Sequence, residues 1–339
     1  MSSNPFFYGG MIREARYFVG RKAELDAVFA ALQHLPRQAQ HVNIVGPRRV
    51  GKSSLLWRVK QLLPARIPAR GLYLSGQGLK DPDHFYLLLT RELQVPAQAP
   101  LPITVEQTLK DAYRQGRIVV LLLDELGALL DHGFPRDFFD GLRAWMDASL
   151  LAVVLATKVP VAHLVRERGL SSPFFNLFTH PVELGPLPAD EAEELLERAR
   201  TCDRPFTAAE LAWMKRWARW RDGYHPAKLQ LAGYHLYEAK AHGPVDLKAL
   251  ERRVHAAWAQ VHPRRPLRRR LTRAFWNLTE ALGRFGHETL LRKEKGATSQ
   301  STLRLTGALM LAALILLAAA VLGGYVPWSA LLARWLGGA

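Results

Sequence analysis

Three apolar runs punctuate the first half of the chain: Val42-Asn-Ile-Val45, Ile118–Leu123 and Leu151–Ala156. Runs of this length without a polar alternation fit strands of a parallel sheet covered on both faces. Gly71–Ser75 and Val182–Leu184 read as two shorter strands. Between them the apolar positions move to helical spacing: Leu25, Val28, Phe29 and Leu32; a helix from near Lys52 to about Leu63; helices over about Asp83–Leu93 and Thr104–Gln115; and Phe138, Leu142, Trp145 and Met146. Strands alternating with helices predict βαβ units and a parallel sheet.

From Pro186 the strands stop. Pro188-Ala-Asp190-Glu191 opens a helix with Leu195 and Leu196, and Thr207-Ala-Ala-Glu210 is a capping box before a helix striped by Leu211, Met214 and Trp217. Gly223-Tyr-His-Pro226 ends that helix and starts another, with Pro226 suited to the first helical position. These helices predict a small lid. Trp213, Trp217 and Trp220 at helical spacing read as its packing.

The C-terminal quarter has a different pattern. Leu267, Leu271, Phe275, Leu278, Leu282 and Phe285 form an apolar stripe among arginines, including the cluster Arg264–Arg273, which predicts an amphipathic helix. Leu305–Val326 then carries no charge. As a helix it would extend about 33 Å, enough for a hydrocarbon core of roughly 30 Å. Arginines precede this span and only Arg334 follows it, so the preceding domains are expected on the cytoplasmic side of a single-pass anchor in the cytoplasmic membrane. The expected division is 1–185 for the sheet domain, 186–260 for the lid, 261–304 for the basic juxtamembrane segment, 305–326 for the span and 327–339 for an interfacial tail.

Composition sharpens this. The 339 residues are 49% apolar and 22% charged, as in folded proteins, and the formal charge of +16 calls for an anionic partner, either nucleic acid or anionic lipid. Cys202 is the only cysteine, which excludes an intramolecular disulfide and fits a reducing compartment. Met1–Phe7 lacks the basic region and apolar core of a secretory signal. The 12 histidines form no H-E-x-x-H pattern, so no zinc site is expected.

The chemistry starts at Gly46-Pro47-Arg48-Arg49-Val50-Gly51-Lys52-Ser53-Ser54, which follows the first strand and fits G-x-x-x-x-G-K-[ST]. Such a loop turns its N–H groups inward around a phosphate at the positive end of the following helix. Lys52 would neutralise β- and γ-oxygens and the Ser53 hydroxyl would reach Mg²⁺, so ATP and Mg²⁺ are the expected ligands. Asp124 and Glu125 follow six apolar residues of a central strand. Asp124 would hold Mg²⁺ through water and Glu125 would activate the attacking water; the alternative is a carboxylate that starts the next helix. Thr157 ends the next strand and either contacts the γ-phosphate or finishes the strand. Arg48 and Arg49 are either solvated or serve a phosphate or a neighbouring subunit. Arg143 is a candidate arginine finger.

Together, Asn4-Pro-Phe, Phe18-Val-Gly-Arg21, the phosphate loop, Leu-Leu-Leu-Asp124-Glu125 and Gly223-x-x-Pro226 resemble the archaeal-type ATPases and their bacterial relatives, which are STAND-class P-loop NTPases close to the AAA+ proteins. The resemblance spans about Asn4 to His242. It implies a five-stranded parallel sheet followed by a helical lid. It also implies that Phe18 and Val19 pack on adenine, that Thr157 is a sensor, and that His225 and Pro226 place the lid against the nucleotide. Relatives often continue into a winged helix or repeat array; here the span stands in that place.

The expected activity is a slow ATPase acting as a membrane-anchored switch, with anionic lipid, a homo-oligomer or an unidentified protein as partners. Two other readings stay open: a nucleic-acid-handling ATPase using Arg264–Arg273, and a scaffold whose nucleotide is not hydrolysed.

Overall fold

A computed structural model describes residues 4–35, 40–179 and 181–261, together with the single residue Leu309. The chain divides into two units, Met1–Val261 and His262–Ala339, and the first is described below. The expected basic segment 261–304, the span 305–326 and the tail 327–339 lie outside the described residues, save for Val261 and Leu309. Among the described residues no helix is long and apolar enough to cross a membrane.

Five strands form one parallel sheet: β1 (Val42–Val45), β2 (Ala69–Ser75), β3 (Ile118–Asp124), β4 (Leu151–Thr157) and β5 (Pro181–Glu183), in the order β2-β3-β4-β1-β5. All seven residues of β3, and all seven of β4, are buried, which explains their unbroken apolar sequence. Side chains still alternate between faces. Val119, Leu121 and Leu123 join one core with α3 (Pro82–Leu93), α4 (Leu101–Arg114), α5 (Leu126–Asp131) and α6 (Arg136–Asp147). Ile118, Val120 and Leu122 join the other with α1 (Lys22–Leu32) and α2 (Lys52–Arg66).

Two boundaries differ from the sequence pattern for local reasons. β2 starts at Ala69 rather than Gly71, since its ladder with β3 runs from Ala69↔Ile118 to Ser75↔Asp124. α4 starts at Leu101 rather than Thr104, with Pro102 accepted in its first turn, where a missing N–H costs nothing. After α7 (Val161–Arg168) and β5, the lid comprises α8 (Ala189–Thr201), α9 (Ala208–Ala218), a two-residue hairpin of β6 (Arg219–Trp220) and β7 (Gly223–Tyr224), α10 (Pro226–Lys240) and α11 (Leu247–Val261). Thr207 and Glu210 form the expected capping box on α9.

The N-terminal arm packs with the lid, with hydrogen bonds that span 223 and 234 residues of sequence. The Phe6 ring stacks on Phe206 at 5.5 Å inside the lid core. Phe7 N–H donates to Gln230 Oε1 at 3.0 Å, and Asn4 Nδ2 donates to Glu238 at 2.8 Å. Gly233 makes room for the arm, because a Cβ there would lie 2.4 Å from Phe6 Cδ1. The arm then crosses to α2: Ile12 N–H donates to Ser54 Oγ at 3.0 Å, and the Arg13 carbonyl accepts from Trp57 Nε1 at 3.2 Å and Gln61 Nε2 at 2.8 Å.

Candidate nucleotide site

The phosphate loop connects the end of β1 to the start of α2. Gly51 has φ +105°, a conformation costly for a residue with a Cβ, and directly precedes the helix. α2 begins at Lys52 with no side-chain cap and no acidic residue in its first turn. Its first N–H groups have no intrahelical partner and carry the positive end of the dipole, so this helix end suits a bound anion.

Lys52 folds back over the loop, donating to the carbonyls of Gly46 and Pro47 at 2.8 Å each. Burial pushes its pKa down to about 8, against the attraction of Asp124 and Glu125 and with the help of repulsion from Lys158 and Arg48. Arg48 and Arg49 are exposed, and burial with Arg48 beside it lowers the Arg49 pKa. Val50 is buried, and Ser53 half-buried, at the head of α2. Ser54 turns its hydroxyl to the arm at Ile12. The cluster of Arg48, Arg49 and Lys52 around a helix end with no side-chain cap fits ATP with Mg²⁺, the ligands of this loop type.

Asp124 ends β3 and is 4% exposed. Its Oδ1 accepts the Glu125 N–H at 3.0 Å and its Oδ2 accepts the Tyr73 hydroxyl at 2.9 Å. Burial and the adjacent carboxylate push the Tyr73 phenol well above its usual range, so it stays a donor. Glu125 sits at φ 53°, ψ 50°, ahead of α5. A non-glycine residue held there costs on the order of 1 kcal/mol, and such strain is common at functional sites.

Thr157 ends β4, opposite Val45 in register, and its carbonyl accepts the Gly46 N–H at 3.2 Å. Its hydroxyl donates to Asn43 Oδ1 at 2.8 Å, so contact with phosphate or water requires giving up that bond or acting through Asn43. Arg143 donates to Asp147 at 3.0 Å and to the Pro173 carbonyl, so its guanidinium is committed within its own chain.

The Phe18–Arg21 stretch lies between sheet domain and lid. Phe18 packs on the α1/α2 core, Val19 on the lid core, and Arg198 of α8 donates to the Phe18 carbonyl at 3.4 Å. Arg21, only 4% exposed, donates to the Val50 carbonyl at 3.2 Å and to the Gly185 carbonyl at 2.8 Å. Glu191 of α8 accepts the Arg21 N–H at 2.7 Å and the Lys22 N–H at 3.1 Å, capping α1 from the lid. His225 is buried between Trp220 and Trp258, at 5.1 Å from each ring, and precedes Pro226 at the head of α10. Trp213 and Trp217 fill the lid core, whereas Trp220 packs against the sheet-domain core.

The sequence pattern singled out the loop and the acidic pair, but not Arg21 and Tyr73, which bond to them, nor Glu191, which bonds to Arg21. Arg21 stood inside a quoted motif; nothing in the local pattern marks Tyr73 or Glu191.

The loop after β1, the acidic pair at β3 and the five-stranded parallel sheet are arranged as in a P-loop NTPase fold. Residues 34–162 match the family model described as an AAA domain. No curated protein sequence matches the chain. Among solved structures, the Walker-type ATPase PABY2304 of Pyrococcus abyssi is 15% identical with a TM-score of 0.58, over 88% of this chain and 91% of that one. The ORC2 protein of Aeropyrum pernix, in ADPNP and ADP complexes, is 17% identical with a TM-score of 0.57, over 71% and 70%. The ORC1 protein of the same organism, in complex with DNA, is 18% identical with a TM-score of 0.53, over 86% and 77%. The fold is thus shared with these ATPase and ORC structures, and residues 34–162 carry the AAA-domain match.

Proposed function

We propose that the chain is an ATP-dependent switch of the STAND type, a slow ATPase that couples the nucleotide in its phosphate loop to the set of its lid. The observation that carries this reading is the bonding of Arg21, whose guanidinium touches the loop at Val50 and, at Gly185 and Pro186, the segment that leads from β5 into the lid. A movement of the loop or of that segment is felt at the other through one rigid fork of donors.

The chemistry follows from the chain's own groups. The first N–H groups of α2 and the Lys52 ammonium bind and orient the phosphates. Ser53 and, through water, Asp124 would hold magnesium, which would neutralise phosphate charge. Glu125, at the left-handed turn out of β3, would accept a proton from the attacking water. Phe18 and Val19 would border the base, and Thr157 would sense the terminal phosphate. Lys52→Ala should abolish ATP binding by calorimetry, while Glu125→Gln should retain binding and lose phosphate release. Equal ATP affinity in wild type and Lys52→Ala would end the reading.

The output side rests on sequence. The uncharged stretch 305–326 and the arginines before it support a single-pass anchor in the cytoplasmic membrane, with the ATPase domain in the cytoplasm and anionic lipid, a second copy or a protein as partner. Flotation with liposomes should require residues 305–326. A nucleic-acid-handling role is the second reading, favoured by the DNA complex of the Aeropyrum ORC1 protein and by Arg264–Arg273. Duplex binding that weakens with salt, and is lost when those arginines become glutamine, would select it over the anchor.

A further inference from the structure

Asp124 is held at both oxygens, but the two donors differ in kind. The Glu125 N–H on Oδ1 is the backbone of the next residue, part of the turn out of β3. The Tyr73 hydroxyl on Oδ2 comes from the neighbouring strand, 51 residues upstream, at 2.9 Å. β2 pairs with β3 in a register that sets Tyr73 beside Leu122, two positions before Asp124.

The phenol is itself held in place. The Trp57 indole of α2 meets the Tyr73 ring edge-on at 5.6 Å. On Trp57 lie the Arg13 guanidinium at 5.2 Å and the Lys60 ammonium at 5.1 Å. Trp57 belongs to the same helix whose first residues are Lys52 and Ser53. Helix α2 therefore carries the phosphate-binding residues at its head and, on its second turn, the ring that orders Tyr73.

We infer that Tyr73 is a positioning residue: by donating to Asp124 Oδ2 it fixes the plane of the carboxylate so that its remaining lone pairs face the magnesium position. The inference rests on the nucleotide reading above and assigns a role to a residue outside the loop and the acidic pair. A carboxylate oxygen has a second lone pair, so the phenol orients Oδ2 without consuming it. A carboxylate held only at Oδ1 swings about its terminal torsion, which is broad and soft. Partners that orient metal-holding groups are commonly worth about ten- to a hundredfold in metal affinity.

The test is Tyr73→Phe in the full chain, read by binding of a fluorescent ATP analogue titrated with magnesium. Tyr73→Phe keeps the ring against Trp57 and removes only the hydroxyl. The expected result is a roughly tenfold rise in the magnesium concentration at half-saturation, with metal-free affinity for the analogue and the melting temperature unchanged. Tyr73→His, which keeps a ring and an N–H donor, should fall between wild type and Tyr73→Phe, and is the second variant should the first not fold. An unchanged magnesium half-saturation overturns the inference, and so does an equal fall in metal-free and metal-dependent affinity. Wild-type protein that binds no analogue at all would instead remove the nucleotide reading.

Discussion

Arg21 and Glu191 meet at 2.7 Å, backbone N–H to carboxylate, and through that contact the first helix of the lid caps the first helix of the sheet domain. The side chain of Arg21 turns the other way, into the phosphate loop and the Gly185 carbonyl. One residue thus joins three segments that are far apart in sequence. Arg21→Ala would remove the donor to the Val50 and Gly185 carbonyls and break the 2.6 Å ion pair with Glu24. The expected loss is about 2–4 kcal/mol in urea unfolding, since bonds to charged donors are worth roughly 1.5–3 kcal/mol each and are not additive. Glu191→Gln, which keeps an acceptor, should cost less than half as much.

Gly233 gives a second test, on the arm. With Phe6 Cδ1 2.4 Å from where a Cβ would sit, Gly233→Ala should push Phe6 out of the lid core. Loss of about 1–3 kcal/mol is expected from overpacking. Limited proteolysis should then cut within residues 4–13 in the variant before it does so in wild type.

Lys52 sets a pH limit on nucleotide binding. With its pKa near 8 in the free protein, the ammonium is largely neutral at pH 9, and phosphate binding must restore its proton. Calorimetry in buffers of different ionisation enthalpy should show uptake approaching one proton at pH 9 and none at pH 6.5. Affinity should fall above pH 8 by up to about tenfold per unit. Lys52→Arg, which does not titrate in this range, should show no uptake.

His41 gives an acid signature of the fold. Its Nδ1 accepts the Val153 N–H at 3.2 Å, and burial lowers its pKa from 6.5 to about 4 despite the attraction of Asp147. Between these values the unfolded chain binds the proton and the folded chain does not. The His41 contribution to stability is therefore complete above pH 6.5 and is lost as pH falls towards 4. His41→Asn, which offers an acceptor but no titration, should flatten the slope of unfolding free energy with pH across that window.

Much of this architecture was legible in the chain because central strands announce themselves. Six apolar residues before Asp124-Glu125 mark a central strand, and Gly46–Ser53 fits the phosphate-loop pattern by composition and order. β2 was read two residues short because Arg70 interrupts its apolar pattern, though its backbone still pairs with Val119. The arm–lid packing was not legible, since Phe6 reaches Phe206 far along the chain only because Gly233 leaves it room, and an absent side chain leaves no pattern. Nor was the bond from Tyr73 to Asp124, which depends on how two strands align and not on the neighbours of either residue. Local sequence speaks for elements buried on both faces; it is silent on contacts made by one side chain across a sheet.

The strand order has a last consequence. β4 lies between β1 and β3, so Gly46–Ser53 and Asp124 start from strands two spacings apart, about 9–10 Å. Anything that touches both must bridge the end of β4, where Thr157 stands.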